Sequence, residues 1–382
     1  MKFDQLRNFL DFYLPMLGIP GSDTVIYKDH EEIFRYQSGY DNLNFRTPVR
    51  DNALYHMYSV TKISTCLSVM QLVERGEILV TDPVYAYFPE YKNMQVKVKN
   101  ADGSYGVRPA KNPMLIQHLL TMTSGLNYEL DRPAIQRVRE RTNGKCPTLD
   151  VVRALAEEPL EFDPGEHYRY SLSHDVLGGI VELVSGMKLG DYMRENIFDP
   201  LGMTHTFFGM NDDIKSRLAT QYEYDATNKC AREVPIDRNR YRFGDDYQSG
   251  GAGLISSVDD QILLADALTH LGMGKTGNRI ISSFAVNMMR RNNFGEDLLR
   301  EFSVNHHAGY GYGFGVRTNL DNSRGGNIAP TGIFGWDGAK MSYMSCDPTN
   351  RIAVFHAEHM GGLHRVVLPR LCNVIYSCLD ED

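Results

Sequence analysis

The most restrictive feature of this 382-residue chain is the order in which its hydrophobic patterning changes. β-rich runs occur early, at Thr24-Val25-Ile26-Tyr27 and Ile33-Phe34-Arg35-Tyr36, with Asp29-His30 between them as a hairpin tip. Strand texture returns only at Tyr312-Gly313-Phe314-Gly315-Val316, Met341–Met344 and Ile352–Phe355. The long middle section keeps helical spacing, clearest at Ile116–Leu120, Leu149–Ala156 and Val176–Val184, with loops marked by Pro and Gly. Strands, then helices, then strands predicts an α+β fold, with a mostly antiparallel sheet drawn from both chain ends. The expected organisation is a single domain over 1–382. Its α/β part takes 1–80 plus 300–382, and a mostly helical part, 81–299, is inserted between them. Leu6, Phe9, Leu10, Tyr13, Leu14 and Leu17 predict an amphipathic packing helix at the start, and Val366–Ser377 a helix at the end.

Composition removes several functional classes. A net charge of −8 leaves no basic face for a nucleic-acid backbone, and Arg137, Arg139 and Arg141 are interleaved with Glu140 as on a solvated helix. No apolar run approaches the ~20 residues of a membrane span. The segment Met1-Lys2-Phe3-Asp4-Gln5-Leu6-Arg7 carries charge where a signal peptide is apolar. Six Cys without a C-x-x-C pair fit buried or idle thiols in a reducing cytoplasm, the expected location. Against 22 Tyr and 17 Phe stands one Trp, Trp336, which draws attention to its surroundings.

Three segments carry chemistry. In Tyr58-Ser59-Val60-Thr61-Lys62, at the mouth of a helix predicted over Val60 to Val73 and stopped by Gly76, Ser59 and Lys62 share one helix face. A lysine amine deprotonates a serine only if its pKa falls from ~10.4, through burial or another cation. The helix start adds N–H groups where an oxyanion would form. The alternative is an N-cap serine followed by a surface lysine. Tyr170, in Phe162-Asp163-Pro164-Gly165-Glu166-His167-Tyr168-Arg169-Tyr170-Ser171-Leu172, precedes a helix N-capped by Ser173. Its phenol either serves as a base, held as phenolate beside a lysine, or simply packs. His167 and His174 are read as solvent-facing. In Phe334-Gly335-Trp336-Asp337-Gly338-Ala339 the glycines admit a close backbone or ligand, and an N–H of this strand edge could join that of Ser59 in an oxyanion hole. A bulge around a packed Trp is the duller reading.

Together these segments resemble the serine β-lactamase superfamily, in its class C and D-Ala-D-Ala carboxypeptidase branch. Gln117–Leu126, Asp175–Gly186 and Ser249–Ser257 match further pieces of that pattern, so the likeness runs from about Ile19 to the last helix. The resemblance implies a β-lactamase/transpeptidase-like fold. It also implies Ser59 as acylated nucleophile, Lys62 and Tyr170 as the proton-transfer pair, and an oxyanion hole from the N–H groups of Ser59 and Ala339. Two positions depart from it. Relatives place Asn where this chain has Leu172, and Lys or His where it has Trp336 in Trp336-Asp337-Gly338. Loss of those polar contacts weakens recognition of lactams and peptide carboxylates. Trp-x-Gly resembles the family VIII carboxylesterases, and Trp336, Gly338 and Leu172 become substrate-facing candidates.

The expected function is therefore hydrolysis of short acyl esters through an acyl-enzyme. No cofactor or metal is expected, and the expected partner is a small-molecule ester or amide. A β-lactamase or D-amino-acid peptidase, an acyltransferase, and an inactive binding protein of the same fold are the alternatives. Three other motifs are set aside. Ser185-Gly186-Met187-Lys188 sits at a helix end, Lys275-Thr276-Gly277 falls in a loop, and His356, Glu358, His359 and His364 lack zinc-site spacing.

Overall fold

The computed structural model describes residues 2–304 and 307–379. Its centre is an eight-stranded sheet. The strands are β1 (Gly21–Lys28), β2 (Glu31–Asn42), β3 (Thr47–Pro48), β4 (Tyr310–Tyr312), β5 (Arg317–Asn319), β6 (Phe334–Asp337), β7 (Ser342–Asp347) and β8 (Ile352–Ala357). Their spatial order is β4-β5-β6-β7-β8-β1-β2-β3, with every neighbouring pair antiparallel. The two chain ends meet at β1 and β8, where Val25 lies opposite Phe355. Successive side chains alternate across this sheet. Val25 and Phe355 enter the main core, whereas Ile26 and Val354 enter a second core beneath the terminal helices. Leu6, Leu10, Leu371 and Ile375 fill that second core.

Four helices support the sheet and the turn that carries Ser59: α1 (Thr61–Glu74), α2 (Ser173–Ser185), α3 (Val258–Thr269) and α4 (His364–Leu379). α1 is buried on every side from Thr61 through Leu72. Its hydroxyls bond carbonyls, Ser68 Oγ to Ser64 O at 2.9 Å and Thr65 Oγ1 to Gly250 O at 2.7 Å. A helix apolar all round belongs at the centre of a protein. α3 packs on β8, β7 and β1, and is capped by Ser257, whose Oγ accepts from Asp260 N.

The expected helices are present with shifted ends: Thr61–Glu74 for Val60–Val73, Thr148–Leu155 for Leu149–Ala156, and His364–Leu379 for Val366–Ser377. The hairpin turn is Asp29-His30, both left-handed. Three expectations need correction. Tyr312–Val316 is not one strand, because Gly313 N bonds Val316 O at 2.8 Å and turns the chain between β4 and β5. Ser173 does not cap α2. Leu172 holds that position, and Ser173 Oγ bonds Ser171 and Ser124 instead. The N-terminal helix is interrupted by a wide turn over Phe9–Tyr13. The middle section also contains small hairpins, Gln95–Lys99 with Tyr105–Pro109 and Gln221–Asp225 with Cys230–Val234. No helix among the described residues is long and apolar enough to cross a membrane. Five of the six cysteines are buried and Cys230 is exposed, none in a disulfide.

Gly315 presses its turn against α1 with φ +72°, and a Cβ there would stand 2.6 Å from Cys66 Sγ. Gly315→Ala therefore combines left-handed strain with overpacking. It should destabilise the fold by about 2 kcal/mol, read as a lower urea midpoint at unchanged slope.

Candidate active site

The nucleophile candidate sits on a sharp turn. Tyr58 is left-handed at φ 45°, a conformation costly for a non-glycine residue, and it is held by its hydroxyl 2.6 Å from Gln221 Oε1. This turn delivers Ser59 to the start of the helical segment that continues as α1. Lys62 lies one turn further on and is fully buried. Its Nζ donates to Gly251 O at 2.6 Å and lies 3.3 Å from Ser59 Oγ and 3.4 Å from the Tyr128 hydroxyl. Burial brings the amine down to about 7, opposed by the nearby Asp175 carboxylate. Asp175, itself buried in α2, accepts from Tyr247 Oη at 2.7 Å and Ser249 Oγ at 2.6 Å.

Tyr170 arrives just ahead of α2. Its hydroxyl shares a hydrogen bond with Ser59 and accepts from Trp336 Nε1 at 3.3 Å. The Lys62 ammonium nitrogen stands 4.5 Å above its ring. The rings of Tyr128, Tyr170 and Trp336 stack in sequence, at 5.5 and 5.9 Å between centroids. Of the readings open for Tyr170, burial disfavours the phenolate. Burial drives the Tyr170 hydroxyl well above its ordinary value, so it is a neutral phenol, and the group poised near neutrality is Lys62.

Trp336 lies on β6, edge-on to Tyr312 at 5.3 Å and beneath the Arg317 guanidinium at 5.5 Å. Asp337 is engaged by Arg317, a nearly buried pair that anchors the strand. Gly338 is required by geometry. A Cβ there would fall 2.2 Å from Ser342 Oγ and 2.3 Å from Met57 O, so this glycine lets β6 close on the turn that carries Ser59. Ala339 follows in a turn, and its N–H, like that of Ser59, has no intramolecular acceptor among the described residues. Leu172 is buried in the core and lines none of the cavities at the site.

Ser59 opens into a cavity of about 520 Å³ walled by Tyr168, Phe302, Val304 and Trp336, with Gly338 and Ala339 on its floor. Beyond Ala339 a second cavity of about 360 Å³ is lined by Tyr58, Gln221, Arg238, Arg240 and Lys340. Tyr241 borders both. His167 is exposed, as read from the sequence, and pairs with Glu301 at 2.7 Å. His174 is not at the surface: it is fully buried under the Gly250 turn, held neutral by burial, with no partner for either ring nitrogen among the described residues. Tyr128, Tyr241 and Asp175 join the site without a sequence motif that marks them. Only the glycine pair in Ser249-Gly250-Gly251 hints at a close approach, and a Cβ on Gly251 would meet Asp175 Oδ2 at 2.7 Å.

A buried lysine beside a serine at a helix start, roofed by an antiparallel sheet from both chain ends, defines a β-lactamase-fold serine hydrolase. The chain belongs to the Beta-lactamase family, whose sequence model matches residues 6–357. Among curated relatives, Protein Rv1367c of Mycobacterium tuberculosis is 28% identical over 350 residues, covering 89% of this chain and 86% of its own. Esterase EstB of Burkholderia gladioli is 32% identical over 272 residues, 65% of each chain. The solved structure of EstCE1, a hydrolase with promiscuous acyltransferase activity, superposes with a TM-score of 0.78 at 24% identity, covering 99% of this chain and 98% of that one.

Because Trp336 is the only Trp and walls the Ser59 cavity, its emission reports occupancy. A fluorophosphonate that reacts at the nucleophile should change that emission stoichiometrically in the native protein. Titration of Ser59→Ala should leave it flat.

Proposed function

We propose that the chain is a carboxylesterase that cleaves short acyl esters through an acyl-enzyme on Ser59. The observation that carries this reading is the buried Lys62 amine, 3.3 Å from Ser59 Oγ and brought to about 7. In this reading Ser59 Oγ attacks the ester carbonyl while its proton passes to neutral Lys62. The oxyanion rests on the N–H groups of Ser59 and Ala339. As the tetrahedral intermediate collapses, the phenol of Tyr170 donates to the leaving alkoxide and is reprotonated from Lys62. Water, deprotonated by the same pair, then attacks the acyl-serine, releasing the acid and restoring the Ser59 hydroxyl. Every proton taken in acylation is returned before the next turnover.

The aromatic part of the larger cavity's wall, Tyr168, Phe302 and Trp336, supports an ester with an apolar acyl group, although Glu301, His364 and Arg365 line the same cavity. Leu172 offers no amide and Trp336 no cation, so the polar contacts that would hold a lactam amide and carboxylate are missing at both positions. The similarity to EstB supports the same choice.

p-Nitrophenyl acetate and butyrate, run beside a chromogenic cephalosporin, test the proposal. The esters should turn over faster, and Ser59→Ala should reduce ester turnover at least ~1,000-fold. Cephalosporin turnover ahead of esters would reverse the assignment. Covalent trapping without turnover would point to a binding role. Addition of an alcohol acceptor separates hydrolysis from acyl transfer by the ester it forms.

The pH profile is set by Lys62. Its unprotonated amine is the base, so acylation is suppressed below the pKa and present above it. kcat/KM should rise with pH through a midpoint near 7. Lys62→Arg, which cannot deprotonate, should remove the activity at every pH. Trp336→His should shift preference toward anionic lactams, read as a lower ester-to-lactam ratio of kcat/KM.

A further inference from the structure

Away from the cleft, the tip of the first hairpin meets the end of α3. Asp29 and His30 form the two-residue turn between β1 and β2 with φ 53° and 68°. Positive φ at both central residues is the geometry of a type I′ hairpin turn. The Asp29 carboxylate is taken by Arg351 at 2.6 Å. His30 instead meets Asp266 and His270, which stand one helical turn apart. His30 Nδ1 lies 2.7 Å from Asp266 Oδ2, and His270 Nδ1 lies 3.3 Å from Asp266 Oδ1. The two imidazoles lie face to face, 3.6 Å between centroids and 22° apart in plane. A ring nitrogen from each histidine and a carboxylate oxygen all fall within 4.8 Å of one another.

We propose that His30, Asp266 and His270 form a site for a divalent transition metal of the zinc type, clipping the hairpin tip to α3. Two imidazole nitrogens and one carboxylate oxygen are a donor set that zinc accepts, with solvent completing the tetrahedron. Metal–nitrogen bonds of ~2.0–2.1 Å place the donors of one ion roughly 3–3.5 Å apart, whereas the three donors here fall within 4.8 Å and must draw together on binding. A second observation points to a ligand. His270 Nε2 is buried and has no hydrogen-bond partner among the described residues. The Asp266 side chain is only 1% exposed, and each of its oxygens faces a histidine nitrogen, Oδ2 that of His30 and Oδ1 that of His270. His270 Nδ1 faces the Asp266 backbone carbonyl at 2.9 Å. A proton donated there leaves the lone pair on Nε2 and fixes the ring, the outer-shell support that metal-bound histidines have. Binding requires the stacked rings to splay until each lone pair points at the ion. The hairpin tip permits this, since the His30 side chain is 29% exposed. The competing account is metal-free, His30 hydrogen-bonded to Asp266 against the stacked His270 ring.

Metal-stripped full-length chain, titrated with Zn²⁺ by calorimetry and with Co²⁺ by visible absorption, separates the two. The expected result is one saturable site, a Co²⁺ spectrum of nitrogen and oxygen ligands, and a melting temperature that rises with added Zn²⁺. His30→Asn keeps a residue that tolerates the left-handed turn, so it should fold and retain ester turnover. It should weaken Zn²⁺ binding at least ~10-fold and abolish the thermal shift. His270→Ala should do the same. Failure of the native chain to take up metal overturns the proposal, as does unchanged binding by His30→Asn. A thiolate charge-transfer band with Co²⁺ would place the ion on a cysteine and overturn it as well.

Discussion

The desolvation of one amine organises this molecule. Taking Lys62 from its ordinary 10.5 to about 7 corresponds to on the order of 5 kcal/mol against the charged form. That environment is built by wrapping α1 completely, with hydroxyls and small side chains allowing neighbours to approach its backbone. The opposing influence is Asp175, which favours the ammonium and keeps the amine from falling further. Asp175 tolerates burial because Tyr247 and Ser249 donate to it, and the Gly250-Gly251 turn fits only because those positions lack a Cβ. Glycine turn, buried acid and buried base form one unit.

Sequence patterning reads the fold well where periodicity is strong. The antiparallel sheet drawn from both ends, the hairpin at Asp29-His30 and the long helices are all legible in it. It fails where a single residue decides. Val316 looks like the end of a strand, but Gly315 in a left-handed turn against Cys66 breaks that run. Ser173 looks like a helix cap, but Ser124 and Ser171 compete for its hydroxyl. His174 looks exposed beside a polar loop, and only the tertiary approach of Gly250 buries it. The Ser59, Lys62 and Tyr170 candidates are legible because two share a helix face and the third precedes a helix. Tyr128, whose hydroxyl lies 3.4 Å from the lysine, has no sequence signal, since its spacing is that of any packed tyrosine.

The tyrosine-rich, tryptophan-poor composition also acquires a place in the structure. Tyr128, Tyr170 and Trp336 form a continuous stack beside Ser59 and Lys62, and Tyr168, Tyr241 and Tyr312 line or brace the same wall. Offset and edge-on aromatic pairs add ~0.5–1.5 kcal/mol each beyond their buried area. Gly338 joins this wall to Met57 at closest approach, so the cavity surface packs directly on the turn that carries Ser59.

The pairing of β1 with β8 has a consequence for how the chain reaches this state. Thr24 and His356 bond across 332 residues of sequence, so the central sheet cannot close until almost the whole polypeptide is present. Contacts of such separation slow folding, because loop-closure entropy is lost before the pairing rewards it. During synthesis the first hairpin and the apolar α1 emerge early and wait with an open strand edge beside them. Such intermediates are prone to aggregate. The arrangement that buries Lys62 so completely thus leaves the β1 edge open until the last strands arrive.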